Sequence, residues 1–221
     1  MRDTTALYRD VPAEQREQLL RFRATHPYHQ LDVDGTTWRY LACGEGDRTL
    51  LFLPGAFLQA DMWFKQILAL ETDHRIIAPD AYALQGIFDL DRVCRTILES
   101  LDAEGIERAT VVGLSAGGGV AQGLLQQHPE RVEHVVFSHC GILEYDPETE
   151  RRTRGMLWLA RLLPLFLMRR ILRRMTTGEL PESSRWIAFH EAYMEEAIPN
   201  LDRGMLLGFL KSTSTGGSSL K

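Results

Sequence analysis

A serine flanked by small residues is the part of this sequence best suited to do chemistry. Residues 113–117 read Gly-Leu-Ser-Ala-Gly, which matches the pattern GxSxG with Ser115 at its centre. The small flanking residues permit a sharp, strained turn from a strand into a helix, which lifts the serine hydroxyl above a sheet. The strand-like run 109–112 leads straight into this pattern. The sequence therefore predicts Ser115 as a nucleophile in acyl transfer.

Two backbone N–H groups are predicted to stabilise the negative charge that such a reaction develops. The first N–H groups of a helix that starts at Ser115 lack intrahelical partners, so Ala116 is expected to supply one donor. A second donor is expected in residues 54–57, Pro-Gly-Ala-Phe, because they follow the apolar run 50–53 at the same edge of a parallel sheet. We predict that the N–H of Ala56 completes an oxyanion hole with Ala116. Taken alone, Pro54-Gly55 is also compatible with an ordinary turn.

Strand and helix patterns alternate through the middle of the chain. Apolar runs predict strands at 49–53, 75–78, 109–112 and 132–138, with helices at 59–70, 90–104 and 115–128. This alternation predicts right-handed βαβ units and a mostly parallel α/β sheet. A helix at 13–23 and a hairpin of strands 29–33 and 36–43, joined at Asp34-Gly35, are predicted to precede it.

The pattern changes after the last predicted strand. Residues 151–175 and 183–197 are helical in pattern without intervening strands, which predicts a helical cap. The Ser, Thr and Gly residues from Lys211 onward have the composition of a disordered linker. The predicted organisation is an N-terminal helical extension at 1–28, an α/β core at 29–145, a cap or lid at 146–210 and a disordered tail at 211–221.

Four short motifs, in their order along the chain, are similar to those of the α/β-hydrolase superfamily. They are Leu53-Pro54-Gly55-Ala56, Ala78-Pro79-Asp80, Gly113-Leu114-Ser115-Ala116-Gly117-Gly118 and His128-Pro129-Glu130-Arg131-Val132. The resemblance covers about residues 36–143 and implies a hydrolase whose oxyanion loop is the first motif. Members of this family usually have His-Gly there, whereas this chain has Pro54-Gly55. The resemblance further implies that the catalytic acid and histidine follow the cap.

A neutral serine needs a histidine base, which a carboxylate in turn orients. The chain ends after the predicted cap, before the family's usual positions for the acid and the histidine. Two explanations stay open: a truncated or frame-shifted product of a longer hydrolase, or a short relative that kept its cleft and lost turnover. Within the chain, His139 after strand 132–138 is the candidate base, with Asp146 or Glu144 as the candidate acid.

The histidines also have structural interpretations. His139 is equally a loop residue whose ring is satisfied by backbone groups. His190, inside the helical run 183–197, is a second candidate base or a cap residue on a solvated face. His128 precedes Pro129 at a helix C-terminus, where a histidine complements the helix dipole.

The predicted cap contains an apolar segment followed by clustered arginines. Residues 157–168 are apolar except for Arg161, Pro164 interrupts them, and arginines follow at 169, 170, 173 and 174. The segment either packs over the sheet or forms a lid that lines an apolar acyl pocket, with the arginines at its mouth or at a membrane surface. The second interpretation, with Ser115, predicts hydrolysis of carboxylic esters or lactones with apolar acyl groups. The alternative is a catalytically incomplete remnant that binds a small molecule or a protein.

Composition argues against several other classes. The 25 basic and 30 acidic residues give a net charge of -5 and form no basic stripe, so nucleic acid is not an expected partner. Cys43, Cys94 and Cys140 are far apart, which predicts reduced core thiols and neither a zinc site nor disulfides. No signal peptide or stable membrane insertion is indicated, since a span needs ~20 apolar residues. We expect a cytoplasmic enzyme without metal or organic cofactor; a homodimer is one way to cover an unpaired sheet edge.

Overall fold

A six-stranded, mostly parallel sheet organises the chain. The structure is a computed structural model that describes residues 4–141, 147–177 and 185–215. Its strands are β1 (Tyr28–Val33), β2 (Thr36–Cys43), β3 (Arg48–Leu53), β4 (His74–Pro79), β5 (Ala109–Leu114) and β6 (Val132–Ser138). Its α-helices are α1 (Thr4–Leu7), α2 (Ala13–Thr25), α3 (Phe64–Leu70), α4 (Leu90–Ala103), α5 (Ala116–Gln127), α6 (Pro147–Leu162), α7 (Leu165–Thr177), α8 (Ile187–Ala197) and α9 (Arg203–Thr215).

The strand order is β1-β2-β4-β3-β5-β6. Strands β4, β3, β5 and β6 run parallel to one another. Strand β2 of the antiparallel β1–β2 hairpin pairs with β4 in antiparallel fashion. The hairpin turns at Asp34 and Gly35, whose φ angles of 50° and 71° give the doubly left-handed turn that suits strand twist. The predicted α/β fold with an opening hairpin is therefore confirmed, and its parallel strands carry their carboxyl ends to one edge.

Two apolar cores lie on the two faces of the sheet. Strand β3 shows why, because successive side chains point to opposite faces. Leu51 belongs to the core that α4 and α5 cover, whereas Phe52 belongs to the core that α2 and α3 cover. Both side chains are at most 3% exposed. Helices on both faces leave the loops after the strands as the exposed edge where chemistry can occur.

Three predicted segments differ in the structure. The predicted helix 59–70 is a 3₁₀ turn, Ala60–Trp63, followed by α3, and the Asp80 carboxylate accepts the N–H of Ala60 at the start of that turn. The predicted helix 151–175 is broken into α6 and α7 at Pro164, which cannot donate the intrahelical hydrogen bond.

The third difference concerns the predicted disordered tail. Helix α9 extends through Thr215 and includes the first part of that tail. Adding residues to an existing helix costs little, and serine and threonine are only moderately unfavourable in it. Residues 216–221 lie outside the described part of the chain.

The N-terminal helices are tied to α8 through a half-buried polar network. The Arg23 guanidinium donates to Asp61, 2.6 Å from its Oδ2, and also to Glu196 at 3.0 and 3.1 Å. The Tyr8 hydroxyl donates to Glu196 at 2.6 Å, and Tyr193 donates to the other oxygen of Asp61. Asp61 is only 2% exposed, so its partners must compensate for the loss of contact with water. The network fixes α8 against the beginning of the chain.

Strand β6 forms one edge of the described sheet and exposes apolar side chains. Val136 is 50% and Phe137 48% exposed. The homodimer expected to cover such an edge stays a prediction. None of the described helices has the length and apolar character needed to cross a bilayer.

Candidate active site

Ser115 occupies a strained, one-residue turn between β5 and α5. Its φ and ψ angles are 51° and −115°, a combination that L-residues rarely adopt. The Ser115 N–H donates to the carbonyl of Ser138 at 3.0 Å, and its own carbonyl accepts from the N–H of Gly118 at 2.9 Å. Hydrogen bonds thus hold the Ser115 backbone on both sides, while the residue is exposed at the carboxyl edge of the sheet. This is the geometry that the GxSxG pattern predicts.

Two glycines make the turn sterically feasible. A Cβ atom at Gly117 would lie 2.3 Å from the carbonyl oxygen of Leu53, and one at Gly113 would lie 2.7 Å from the Gly117 carbonyl oxygen. These neighbours are main-chain atoms that cannot rotate aside. The spacing of the motif therefore follows from close approach of α5 to β3 and β5.

The loop after β3 lies beside the serine, as the predicted oxyanion hole requires. A Cβ atom at Gly55 would lie 3.8 Å from the Cβ of Ser115. Among the described residues, neither the N–H of Ala56 nor that of Ala116 donates a hydrogen bond. Phe57 has a left-handed φ of 65°, an uncommon conformation that reverses the loop directly after Ala56. Ala116 thus begins the helix at the elbow and Ala56 follows Gly55 beside it, and their role as an oxyanion hole stays a prediction.

Asp80, which belongs to one of the four motifs named above, holds the loop after β3 in place. Its carboxylate, 3% exposed, accepts the N–H of Ala60 at 2.8 Å and lies 3.6 Å from the Arg39 guanidinium. The N–H of Ala81 donates to the carbonyl of Leu58 at 3.0 Å. Burial raises the pKa of the Asp80 carboxyl above its usual value, while the Ala60 N–H and Arg39 oppose the shift. These bonds anchor the far end of the oxyanion loop.

His139, the predicted base, is next in sequence to a residue whose backbone contacts the elbow. His139 follows Ser138, whose carbonyl accepts the Ser115 N–H, and it has a left-handed φ of 49°. The residue is exposed, and among the described residues no hydrogen bond joins its ring to the Ser115 hydroxyl. The candidate acids Asp146 and Glu144 lie outside the described residues. The role of His139 stays a prediction.

The other histidines have structural partners. The ring of His190 donates through Nε2 to the carbonyl of Thr176 at 2.8 Å, which links α8 to α7. The ring of His128 lies 3.6 Å from Glu130 at the C-terminal end of α5. The position of His128 agrees with its structural interpretation, whereas His190 is half-buried between two helices and does not lie on a solvated face.

An apolar cluster covers the oxyanion loop. Phe57 meets Phe209 of α9 edge to face, with ring centroids 4.8 Å apart. Ala160 of α6 and Met168 of α7 are buried in the same cluster, and Ala56 packs against it. The predicted cap helices therefore supply apolar surface directly next to a predicted oxyanion donor.

Not all of the apolar cap segment faces inward. Its most exposed side chains are Trp158 (63%), Leu159 (59%), Leu162 (67%) and Phe166 (72%). The arginines after it also differ from one another. Arg169 donates to the carbonyl of Leu201 at 2.6 and 3.0 Å, and Arg173 pairs with Glu195. At least these two arginines hold the helices together, which the charge pattern alone could not show.

Relatives of known sequence share parts of this chain. Over 121 residues it is 34% identical to the dihydrolipoyllysine-residue acetyltransferase component of an acetoin cleaving system from Cupriavidus necator, covering 52% of this chain and 32% of that protein. Over 132 residues it is 25% identical to epoxide hydrolase 4 of Mus musculus, covering 53% and 36%. The chain thus spans about a third of the length of these curated relatives.

The fold also has solved counterparts. A hydrolase from Pseudomonas aeruginosa superimposes with a TM-score of 0.68 at 21% identity, covering 85% of this chain and 72% of that one. This likeness shows a shared fold. Residues 50–211, from the first parallel strand to α9, match the model of the alpha/beta hydrolase family. The elbow, the order of the strands and this match together show that the chain belongs to the alpha/beta hydrolase family.

Proposed function

We propose that the function of this site is hydrolysis of carboxylic esters or lactones through an acyl-enzyme on Ser115. The observation that carries the proposal is the strained turn at Ser115, which exposes the serine next to two N–H groups that donate to no other described residue. Strain of this kind persists only where the surrounding structure holds it, and it clusters at functional sites. A turn with a purely structural role has no need of an exposed serine in this conformation.

The reaction follows from the position of each group. The Ser115 oxygen attacks the carbonyl carbon of the ester while a base takes its proton, and the carbonyl electrons move onto oxygen. The N–H groups of Ala56 and Ala116 stabilise this oxyanion. Collapse expels the alcohol, which takes the proton from the base, and water then hydrolyses the acyl-enzyme. We propose His139 as the base, with Asp146 or Glu144 as the acid that orients it.

A serine nucleophile favours acyl substrates over epoxides. Opening of an epoxide by a carboxylate gives an ester that water can hydrolyse, whereas opening by a serine would give a stable ether. Epoxide hydrolase 4 is among the relatives of this chain. The residue at the elbow here is Ser115, so turnover of epoxides is not part of the proposal.

The apolar cluster over the loop supports an apolar acyl group in the substrate. Phe57, Met168 and Phe209 bring apolar surface to the side of the site where Ala56 lies. Burial of apolar area in such a place is worth roughly 25 cal/mol per Å². Esters with longer acyl chains are therefore expected to have the lower KM.

The experiment is labelling of the tag-free chain with a fluorophosphonate, followed by peptide mass spectrometry. We expect an adduct on Ser115 and hydrolysis of p-nitrophenyl esters, both lost by about 10³-fold or more in Ser115→Ala. Ser138→Ala is the matched control, because Ser138 lies one strand away and contacts the elbow through its carbonyl. Undiminished hydrolysis in Ser115→Ala would contradict the assignment of Ser115 as the nucleophile. His139→Ala with full activity removes His139 as the base.

A second function is favoured by the absence of a described hydrogen bond between the Ser115 hydroxyl and a histidine. It is binding of a small molecule or protein at the same cleft without turnover. A chain that is folded by circular dichroism and yet remains unlabelled at Ser115 supports this second function.

A further inference from the structure

Three chemically distinct side chains meet at the edge of the sheet opposite Ser115. His26 follows α2, Cys43 ends β2, and Glu71 follows α3. Their ligand atoms all lie within 4.8 Å of one another. Cys43 pairs with Ile76 near the start of β4, so the group lies where the parallel strands begin, away from the elbow. It is the group that the described residues offer for holding a metal ion.

The hydrogen bonds of His26 decide which ring nitrogen faces the group. Its Nδ1 lies 3.0 Å from the carbonyl oxygen of Phe22, which can only accept, and 2.9 Å from the Thr25 hydroxyl, which itself donates to backbone carbonyls, so we assign Nδ1 as the donor. In the neutral ring, Nε2 then has a lone pair, and it points at Glu71 Oε2, 2.7 Å away. Nε2 and the carboxylate oxygen thus face each other across a position that a shared metal ion would occupy. A backbone partner on the other nitrogen is also the usual second shell of a metal-bound histidine.

Cys43 distinguishes this pair from an ordinary histidine–carboxylate contact. A second pair, His29 with Glu104, lies 3.1 Å apart, and there the Tyr40 hydroxyl donates to the same carboxylate oxygen. That pair has no thiol and a 43% exposed histidine side chain. The side chain of His26 is 10% exposed and that of Glu71 25%. The His29–Glu104 pair can therefore serve as a control for a histidine–carboxylate contact that needs no metal.

The backbone around the group is fixed. The turn after Cys43 is possible only with glycine, because Gly44 has a φ of +83° and an added Cβ would lie 2.2 Å from the carbonyl oxygen of His74. The N–H of Glu45 donates to the carbonyl of Glu71 at 2.9 Å. The backbones of Cys43 and Glu71 are therefore held close together, which favours a preformed site.

We propose that His26, Cys43 and Glu71 bind a zinc ion, with water as the fourth ligand. Nitrogen, sulfur and oxygen donors of this kind are those that zinc accepts, at roughly 2.0–2.3 Å in tetrahedral geometry. Such geometry places ligand atoms roughly 3.3–3.7 Å apart. The His26 and Glu71 atoms must separate by less than 1 Å, roughly, and side-chain rotation provides this.

Zinc would replace the proton on the Cys43 thiol. Burial, with the nearby Glu71 carboxylate, raises the pKa of Cys43 to about 12, so the free chain keeps a thiol at neutral pH. The thiolate is the form that binds metal. The bound ion would join α2 to β2 and α3, three elements that are distant in sequence.

Cobalt titration of the tag-free chain tests the proposal, because a thiolate bound to Co²⁺ gives a charge-transfer band in the near ultraviolet. We expect one Co²⁺ per chain with this band, and its displacement by Zn²⁺. The band is lost in Cys43→Ser, and the affinity falls by about tenfold or more in His26→Gln and Glu71→Gln. Cys140→Ser and His29→Gln are the matched controls, since Cys140 is also half-buried and His29 also contacts a glutamate.

Thermal unfolding gives an independent readout. Zinc is expected to raise the unfolding midpoint of the wild-type chain and leave that of His26→Gln unchanged, since only the native site binds it. Circular dichroism checks that each variant is folded. If Cys43→Ser does not fold, the test rests on His26→Gln. A folded wild-type chain without the band, or a band that survives in Cys43→Ser, overturns the proposal. Neither result depends on Ser115, so the proposed hydrolysis is tested separately.

Discussion

The elbow and the outer face of the cap helices place opposite demands on the sequence. At the elbow, main-chain atoms fill the space that a side chain at Gly117 would need. On α6, an added Cβ at Gly155 meets nothing within 4 Å, and on α7 the large apolar side chain of Phe166 faces solvent. Residue type is therefore dictated by steric necessity in the first region and only weakly by packing in the second. Substitutions at the elbow are therefore expected to change the stability of the fold, whereas substitutions on the outer face of the cap are not.

The largest expected effect comes from adding one methyl group at the elbow. Gly117→Ala places a carbon 2.3 Å from the Leu53 carbonyl oxygen, so we expect a loss of about 3 kcal/mol or more in the free energy of unfolding. Gly155→Ala is the matched control on a helix and is expected to stabilise the chain by about 0.5–1 kcal/mol. Urea denaturation measures both. Equal effects would remove the contrast between the two regions.

A smaller effect is expected where the cap meets the N-terminal helices. Asp61→Asn keeps the shape of the side chain but removes the charge that Arg23 contacts at 2.6 Å. We expect a loss of about 2 kcal/mol, below that of a fully orphaned buried charge because Arg23 keeps Glu196. Asp10→Asn removes a carboxylate from an exposed pair with Arg9, and no measurable change is expected. If both variants unfold alike in urea, the network does not anchor α8.

The smallest effect is expected on the outer face of the cap. Phe166→Ser replaces a residue that is 72% exposed, and the free energy of unfolding should change by less than about 0.5 kcal/mol. Met168→Ala, two residues along the same helix, empties a site that is 8% exposed and should cost about 2 kcal/mol or more. The same denaturation experiment compares them. A large loss in Phe166→Ser would mean that this face is covered in solution.

Features that depend on local pattern were predictable from the sequence. Apolar runs separated by helical segments predicted the parallel strands, and the GxSxG spacing located Ser115 because close main-chain neighbours require its glycines. Features that depend on chain convergence were not predictable. The roles of Asp80, which caps the N–H of Ala60, and of Arg169, which binds the Leu201 carbonyl, follow only from folded contacts.

The cysteines illustrate the same limit. Their wide spacing favoured buried, reduced thiols, and Cys94 is indeed fully buried. Cys43 and Cys140 are half-buried instead; Cys43 is the last residue of β2, and Cys140 lies two residues after the end of β6. That His26 and Glu71 lie beside Cys43 was not predictable, because sequence separation says little about which residues of different elements meet.

The polar network at α8 has a consequence for the order of events during synthesis. Gln15 and Arg23 find partners at Arg185 and Glu196, and the former pair is separated by 170 positions in sequence. At roughly 5–20 residues per second, a ribosome needs roughly 10–35 s to deliver those partners. Until then α2 can pack on the sheet but cannot complete its hydrogen bonds. The first helices to leave the ribosome are thus among the last to be secured, and this interval is when chaperones can act on them.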